Sequence, residues 1–126
     1  MKKLLTLLLV TLGLQLQAQV YTVTVYNAVP EQCNRDHLTT ADGSRIDPQK
    51  VEDGTIKWCA VSRDMLRDGF RYGDKIRIYS VDPLIEGIYE IHDTMSPKLT
   101  KRIDILMPRH INKGKWKVRI KKIENL

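Results

Sequence analysis

Residues Gly87 to Leu106 read GIYEIHDTMSPKLTKRIDIL, and the fold turns on how this stretch is laid out. Ile88–His92 has the composition of a short strand that runs into Asp93. The segment Thr94–Lys101 is polar, and Pro97 interrupts regular structure. Arg102–Leu106 then alternates, with Ile103 and Ile105 on one face and Asp104 on the other. A carboxylate in the middle of an apolar strand is costly to bury unless it is paired or hydrogen-bonded. Two carboxylates delivered by neighbouring segments, Asp93 and Asp104, suit acid–base chemistry at a glycosidic bond. Asp104 paired with Arg102 is the structural alternative, and it would hold the carboxylate ionised.

The flanking sequence continues the same pattern. Tyr21–Tyr26 alternates β-branched and aromatic residues and reads as a strand. Asn27–Gly54 is polar and punctuated by Pro30, Gly43, Pro48 and Gly54, so long loops are expected there, with room for a short strand at Arg45-Ile46. Ile56–Val61 is the next strand, and Arg63–Arg67 is a helical turn with Ser62 as its N-cap. Strands follow at Lys75–Tyr79, into Asp93, across Asp104, and at Lys115–Ile123. Pro108 is placed to open a short helix over Arg109–Asn112 that Gly114 stops. The last strand alternates Lys and Arg with Trp116, Val118 and Ile120, which reads as an edge strand with a solvated basic face. The fold class expected is mainly β: a small barrel of six strands with one or two short helices.

Composition bounds the setting. The chain of 126 residues is one domain in size. Met1-Lys2-Lys3 and the apolar run Leu4–Leu14, followed by Leu16-Gln17-Ala18, have the form of a signal peptide over residues 1–18, leaving a mature domain over 19–126. The run is too short to span a bilayer, so no stable membrane insertion is expected after cleavage; an uncleaved anchor is the alternative. Without Lys2 and Lys3 the basic count falls from 21 to 19 against 15 acids, a net charge of about +4. A basic exported protein, periplasmic or extracellular, meets anionic partners such as a cell-wall polymer. The basic residues are not interleaved with aromatics, which argues against nucleic acid. An oxidising compartment permits a disulfide between Cys33 and Cys59, and two separate residues are the other reading. No Cys/His set has metal-site spacing, so neither metal nor cofactor is expected. A monomer is expected.

An ordered set of short motifs runs through the mature chain: Thr40-Ala41-Asp42-Gly43, Ala60-Val61-Ser62, Gly73-Asp74-Lys75-Ile76, Asp93-Thr94-Met95-Ser96 and Arg102-Ile103-Asp104. This set resembles the 3D domain, a family named for three aspartates. That family shares the double-psi β-barrel with the catalytic domain of membrane-bound lytic transglycosylase A and, more distantly, with rare lipoprotein A. Two departures stand out. Ser62 occupies the position of the first aspartate, and Met95-Ser96 replaces a Gly-Gly pair. The resemblance implies a double-psi β-barrel acting on peptidoglycan glycan strands, with Asp104 as catalytic acid/base and Asp93 as its ionised partner. Thr94 and Ser62 would donate hydrogen bonds to the carboxylates or the substrate, and Thr40, Tyr26, Asp42 and Arg102 would line the groove. A non-catalytic glycan-binding module of the same fold and an envelope interaction protein are the alternatives. His92 falls outside this set, because on a regular strand it faces away from Asp93.

Overall fold

The computed structural model describes residues 19–30 and 36–124. The proposed signal segment 1–18 and Cys33 lie outside the described residues. Six strands form: β1 (Tyr21–Tyr26), β2 (Trp58–Val61), β3 (Lys75–Tyr79), β4 (Gly87–Thr94), β5 (Arg102–Leu106) and β6 (Lys115–Ile123). Two short helices, α1 (Pro48–Glu52) and α2 (Arg63–Arg67), accompany them. The strands close into one mixed barrel in the order β1-β5-β2-β4-β3-β6. The expected class, a mainly β six-stranded barrel with short helices, is the observed one.

The pairings carry a topological two-fold. β1 runs parallel to β5, and β4 runs parallel to β2. β1 is antiparallel to β6, and β4 is antiparallel to β3. Exchanging β1-β2-β3 for β4-β5-β6 therefore reproduces the whole pairing scheme, with β2–β5 and β3–β6 each mapping onto itself. Two interlocked crossovers of this kind are what the double-psi arrangement requires. The axis passes through the register pair Ala60↔Asp104, flanked by Cys59↔Ile105 and Val61↔Ile103.

Strand alternation fills the barrel. Val23, Cys59, Val61, Ile76, Ile78, Ile91, Ile103 and Ile105 are wholly buried, with Tyr89 and Val118 nearly so. Each contributes roughly 1.5–3 kcal/mol through the area it removes from water. Met65, from α2, joins this core. A smaller cluster of Ile46, Val51 and Leu106 lies under the long segment after β1 and takes in Tyr26, Leu38, Ile56 and Trp58. Asn27 anchors that segment. It is almost fully buried, and its Nδ2 donates to the carbonyls of Met107, Pro108 and Ile111, each at 3.0 Å.

Two expectations are corrected here. The last strand is not an edge: β6 pairs with both β1 and β3, because the barrel closes. Its basic face does point to solvent, at Lys115, Lys117, Arg119 and Lys121. Residues 109–112 form no helix; a single turn closes with the Ile111 N–H donating to the Pro108 carbonyl. Cys59 is a fully buried thiol inside the barrel, and Cys33, the partner considered for it, lies outside the described residues. The long loop, in turn, contains a helix the sequence pattern did not mark. At α1, Asp47 caps Pro48–Glu52 by accepting from the Gln49 N–H. The short strand expected at Arg45-Ile46 is reduced to one bridge between Thr39 and Arg45.

Gly114, at φ +157°, precedes β6 where an added Cβ would run into the Trp116 indole. That indole packs on the core and donates from Nε1 to Asp82 Oδ2 at 2.9 Å. Gly114→Ala is therefore expected to displace the ring, break that bond and cost about 1–3 kcal/mol. Urea unfolding followed by tryptophan fluorescence measures it, with a shifted native emission as the accompanying sign.

Candidate functional site

β5 lies between β1 and β2, so Asp104 is opposite Thr24 on one side and Ala60 on the other. β2 lies between β5 and β4, so Ala60 is in turn opposite Asp93. Thr24, Asp104, Ala60 and Asp93 thus form one row across four strands. Asp93 and Asp104 are two strand spacings apart, about 10 Å between Cα atoms, with only a methyl between them. Neighbouring Ile103 and Ile105 point into the core, which turns Asp104 to the outer face.

Asp104 is half-buried and held by one strong contact. Thr24 Oγ1 donates to its Oδ1 at 2.8 Å. Burial pushes the Asp104 carboxyl above its ordinary range; the Thr24 hydrogen bond and the Arg102 charge oppose the rise, and the Asp93 charge adds to it. Arg102 does not capture the carboxylate. Its Nε donates to Thr24 Oγ1 at 3.3 Å. The balance leaves Asp104 easier to protonate than a solvated aspartate, as a general acid must be.

Asp93 is held differently. Its Oδ1 accepts the Ala41 N–H at 3.0 Å and the Thr94 N–H at 2.9 Å. The first of these ties the turn Thr40–Gly43 to β4. In that turn the Gly43 N–H donates to the Thr40 carbonyl, and Gly43 takes φ +85°, a conformation that glycine adopts without strain. Thr40 is buried, and its hydroxyl donates to Asp42 Oδ1 at 2.6 Å. Burial raises the Asp42 pKa, but hydrogen bonds from Thr40, His92 and Ser44 outweigh it and bring the carboxylate down to about 2.

His92 belongs to this site, against the sequence expectation. β4 carries a bulge opposite β2: Cys59 pairs with Ile91, but Ala60 pairs with Asp93. The extra residue is His92, so the alternation that separates it from Asp93 on a regular strand does not hold. Its Nδ1 lies 2.7 Å from Asp42 Oδ2 and 3.1 Å from Ser44 Oγ, and its Nε2 lies 3.0 Å from Glu90 Oε1. The ring packs at 4.3 Å, tilted, on Trp58.

The remaining expected site residues divide. Thr94 sits beside Asp93, but its hydroxyl donates to the Val61 carbonyl at 2.9 Å. Arg102 flanks Asp104 on the outer face. Ser62 is wholly buried and faces no substrate: its Oγ accepts the Arg102 N–H at 3.0 Å, tying β2 to β5. It occupies the N-cap position of α2 without a side-chain capping bond. Tyr26 packs into the small apolar cluster. Neither Met95 nor Ser96 has a positive φ, so the loop after β4 needs no glycine there; Lys101, at φ 47°, is the non-glycine residue in that region. Thr24 was missed, although Thr22 and Thr24 share the polar face of β1; the parallel β1–β5 register that makes it a partner of Asp104 has no local signal.

A cleft of about 860 Å³ lies elsewhere on the barrel, along Tyr79, Val81, Trp116 and Arg119, and contains none of these groups. Among the described residues no group of three or more His, Cys, Asp or Glu is placed to hold a metal ion, and no helix is long and apolar enough to cross a membrane. No protein-family model matches the chain, and no curated protein matches it.

The raised Asp104 pKa makes a stability prediction. A carboxyl whose folded pKa exceeds its unfolded value binds more protons when folded, so stability falls as pH rises between the two values. Asp104→Asn removes that penalty and keeps an oxygen for Thr24. It is expected to raise the unfolding temperature at neutral pH by a few degrees, with the gain vanishing below about pH 4, where the unfolded carboxyl is also protonated. Thermal melts across pH measure it.

Proposed function

We propose that this is an exported protein that acts on peptidoglycan glycan strands as a lytic transglycosylase, with Asp104 as the acid/base and Asp93 as its charged partner. The observation that carries the proposal is the row Asp104–Ala60–Asp93, in which the first carboxyl is disposed to protonation and the second adds negative charge beside it. The ordered motif set supports the reading, and the basic start with its apolar run supports export.

In this reading Asp104 gives its proton to the glycosidic oxygen between MurNAc and GlcNAc as the C1–O bond breaks. Asp93 offsets the positive charge that develops at C1. The C6 hydroxyl of the same MurNAc attacks C1, and the Asp104 carboxylate takes the hydroxyl proton. The product is a 1,6-anhydro sugar, no water is consumed, and Asp104 is again protonated. Thr24 orients the carboxyl without neutralising it. The buried Ser62 has no part in these steps.

A second reading, a glycan-binding module without catalysis, is favoured by one observation. Asp93 Oδ1 is engaged by two backbone N–H groups, a role that serves the loop rather than a substrate.

Mass spectrometry of the soluble products after incubation with peptidoglycan sacculi separates the two. The catalytic reading expects anhydro-muropeptides from the unaltered protein and a loss of about 10²–10⁴ in rate for Asp104→Asn. Sedimentation with sacculi without any product, in both proteins, would replace it with the binding module. Reducing-end products would mean hydrolysis and a different base.

A further inference from the structure

Asp42 and His92 lie 50 residues apart in sequence, yet they form the closest side-chain contact across the bulge. Both are largely shielded from solvent, at 15% and 12% side-chain exposure. The Asp42 carboxylate is ionised down to about pH 2 and has no proton to give. Nδ1 of His92 must therefore carry the hydrogen in this contact. The charged and polar groups facing the ring are Asp42 and Ser44 from the turn and Glu90 from its own strand, with Trp58 beneath from β2. Lys75 stands opposite Glu90 on β3.

Besides the Ser44 contact with the ring at 3.1 Å, the same turn is tied to β4 at two further points. The Asp42 N–H donates to the His92 carbonyl at 3.3 Å, and the Ala41 N–H donates to Asp93 Oδ1 at 3.0 Å. The first is long and the second is a single bond to a side chain in a solvent-accessible setting. The charge-assisted Nδ1–H to Asp42 contact, at 2.7 Å, is shorter than either of these. Without the ring, the Thr40–Ser44 turn keeps the longer Asp42 N–H and Ala41 N–H contacts to β4.

We propose that His92 is a positioning residue: donating from Nδ1 to Asp42, it clamps the Thr40–Ser44 turn onto the bulged strand and so places the Ala41 N–H on the Asp93 carboxylate. The β-bulge is the device that makes this possible, since it brings His92 and Asp93 to the same face. For the enzyme, the clamp rests on the reading of Asp93 as the charged partner of Asp104; for the fold of the turn, it stands alone.

Two amide replacements test it, because asparagine presents an N–H where His Nδ1 stands and glutamine presents one where Nε2 stands. Hydrogen exchange of the Ala41 amide is followed by NMR in the unaltered protein, in His92→Asn and in His92→Gln. The expected result is Ala41 protection close to the unaltered protein in His92→Asn and exchange at least about tenfold faster in His92→Gln, with core amides of β2 and β5 protected in both. Equal Ala41 protection in all three, or equal loss in both variants, would overturn the clamp. The readout needs no glycan, so failure to find peptidoglycan cleavage leaves it standing. If cleavage is found, the rate should follow the same order, with His92→Asn restoring what His92→Gln loses.

Discussion

Pairing of β5 with two strands at once, parallel to β1 and antiparallel to β2, is the constraint on which the rest of this structure depends. A five-residue strand paired on both sides cannot shift register without moving Ile103 and Ile105 out of the core. Asp104, between them, is thereby committed to one place on the outer face. Its neighbours follow from geometry: Thr24 on one side, Ala60 on the other. The hydrogen bond from Thr24 satisfies a carboxyl that burial would otherwise leave costly, and Ala60 keeps Asp93 within electrostatic reach.

The core and the site depend on each other through strand alternation. Each strand that sends an isoleucine or valine inward sends its next side chain outward, and the outward set carries Asp93 and Asp104. This arrangement separates two demands on one strand. The inward residues contribute stability through burial, and the outward carboxyl is held in a state that costs stability at neutral pH. The buried Ser62 shows the difference between sequence position and location. It directly follows β2 near the carboxylates, but it lies on the inside, where its hydroxyl serves the Arg102 backbone.

The bulge at His92 is the point where regular alternation breaks, and it does so next to Asp93. One extra residue on β4 turns two consecutive side chains to the same face and leaves the downstream register with β2 intact through Thr94. The turn Thr40–Ser44 then docks against that face through Asp42, Ser44 and Ala41. A segment that reads as an unstructured loop is thus tied to the barrel by side chains far from it in sequence, and Asn27 does the same at its start.

The amino-acid sequence by itself determined the elements: six strands where period-two patterns occur, the helical turn after Ser62, and the outward placement of Asp104, because side-chain direction along a strand is a local property. It also singled out Asp93 and Asp104 as the carboxylates to watch. Only the tertiary structure decided that β6 closes the barrel, that Thr24 is the partner of Asp104, that Ser62 is buried, and that His92 shares a face with Asp93. Each of these depends on which strand lies beside which, or on a single inserted residue in a ladder. Nothing in a local pattern of apolar and polar residues records that, because pairing between distant strands is settled by closure of the whole barrel around its core.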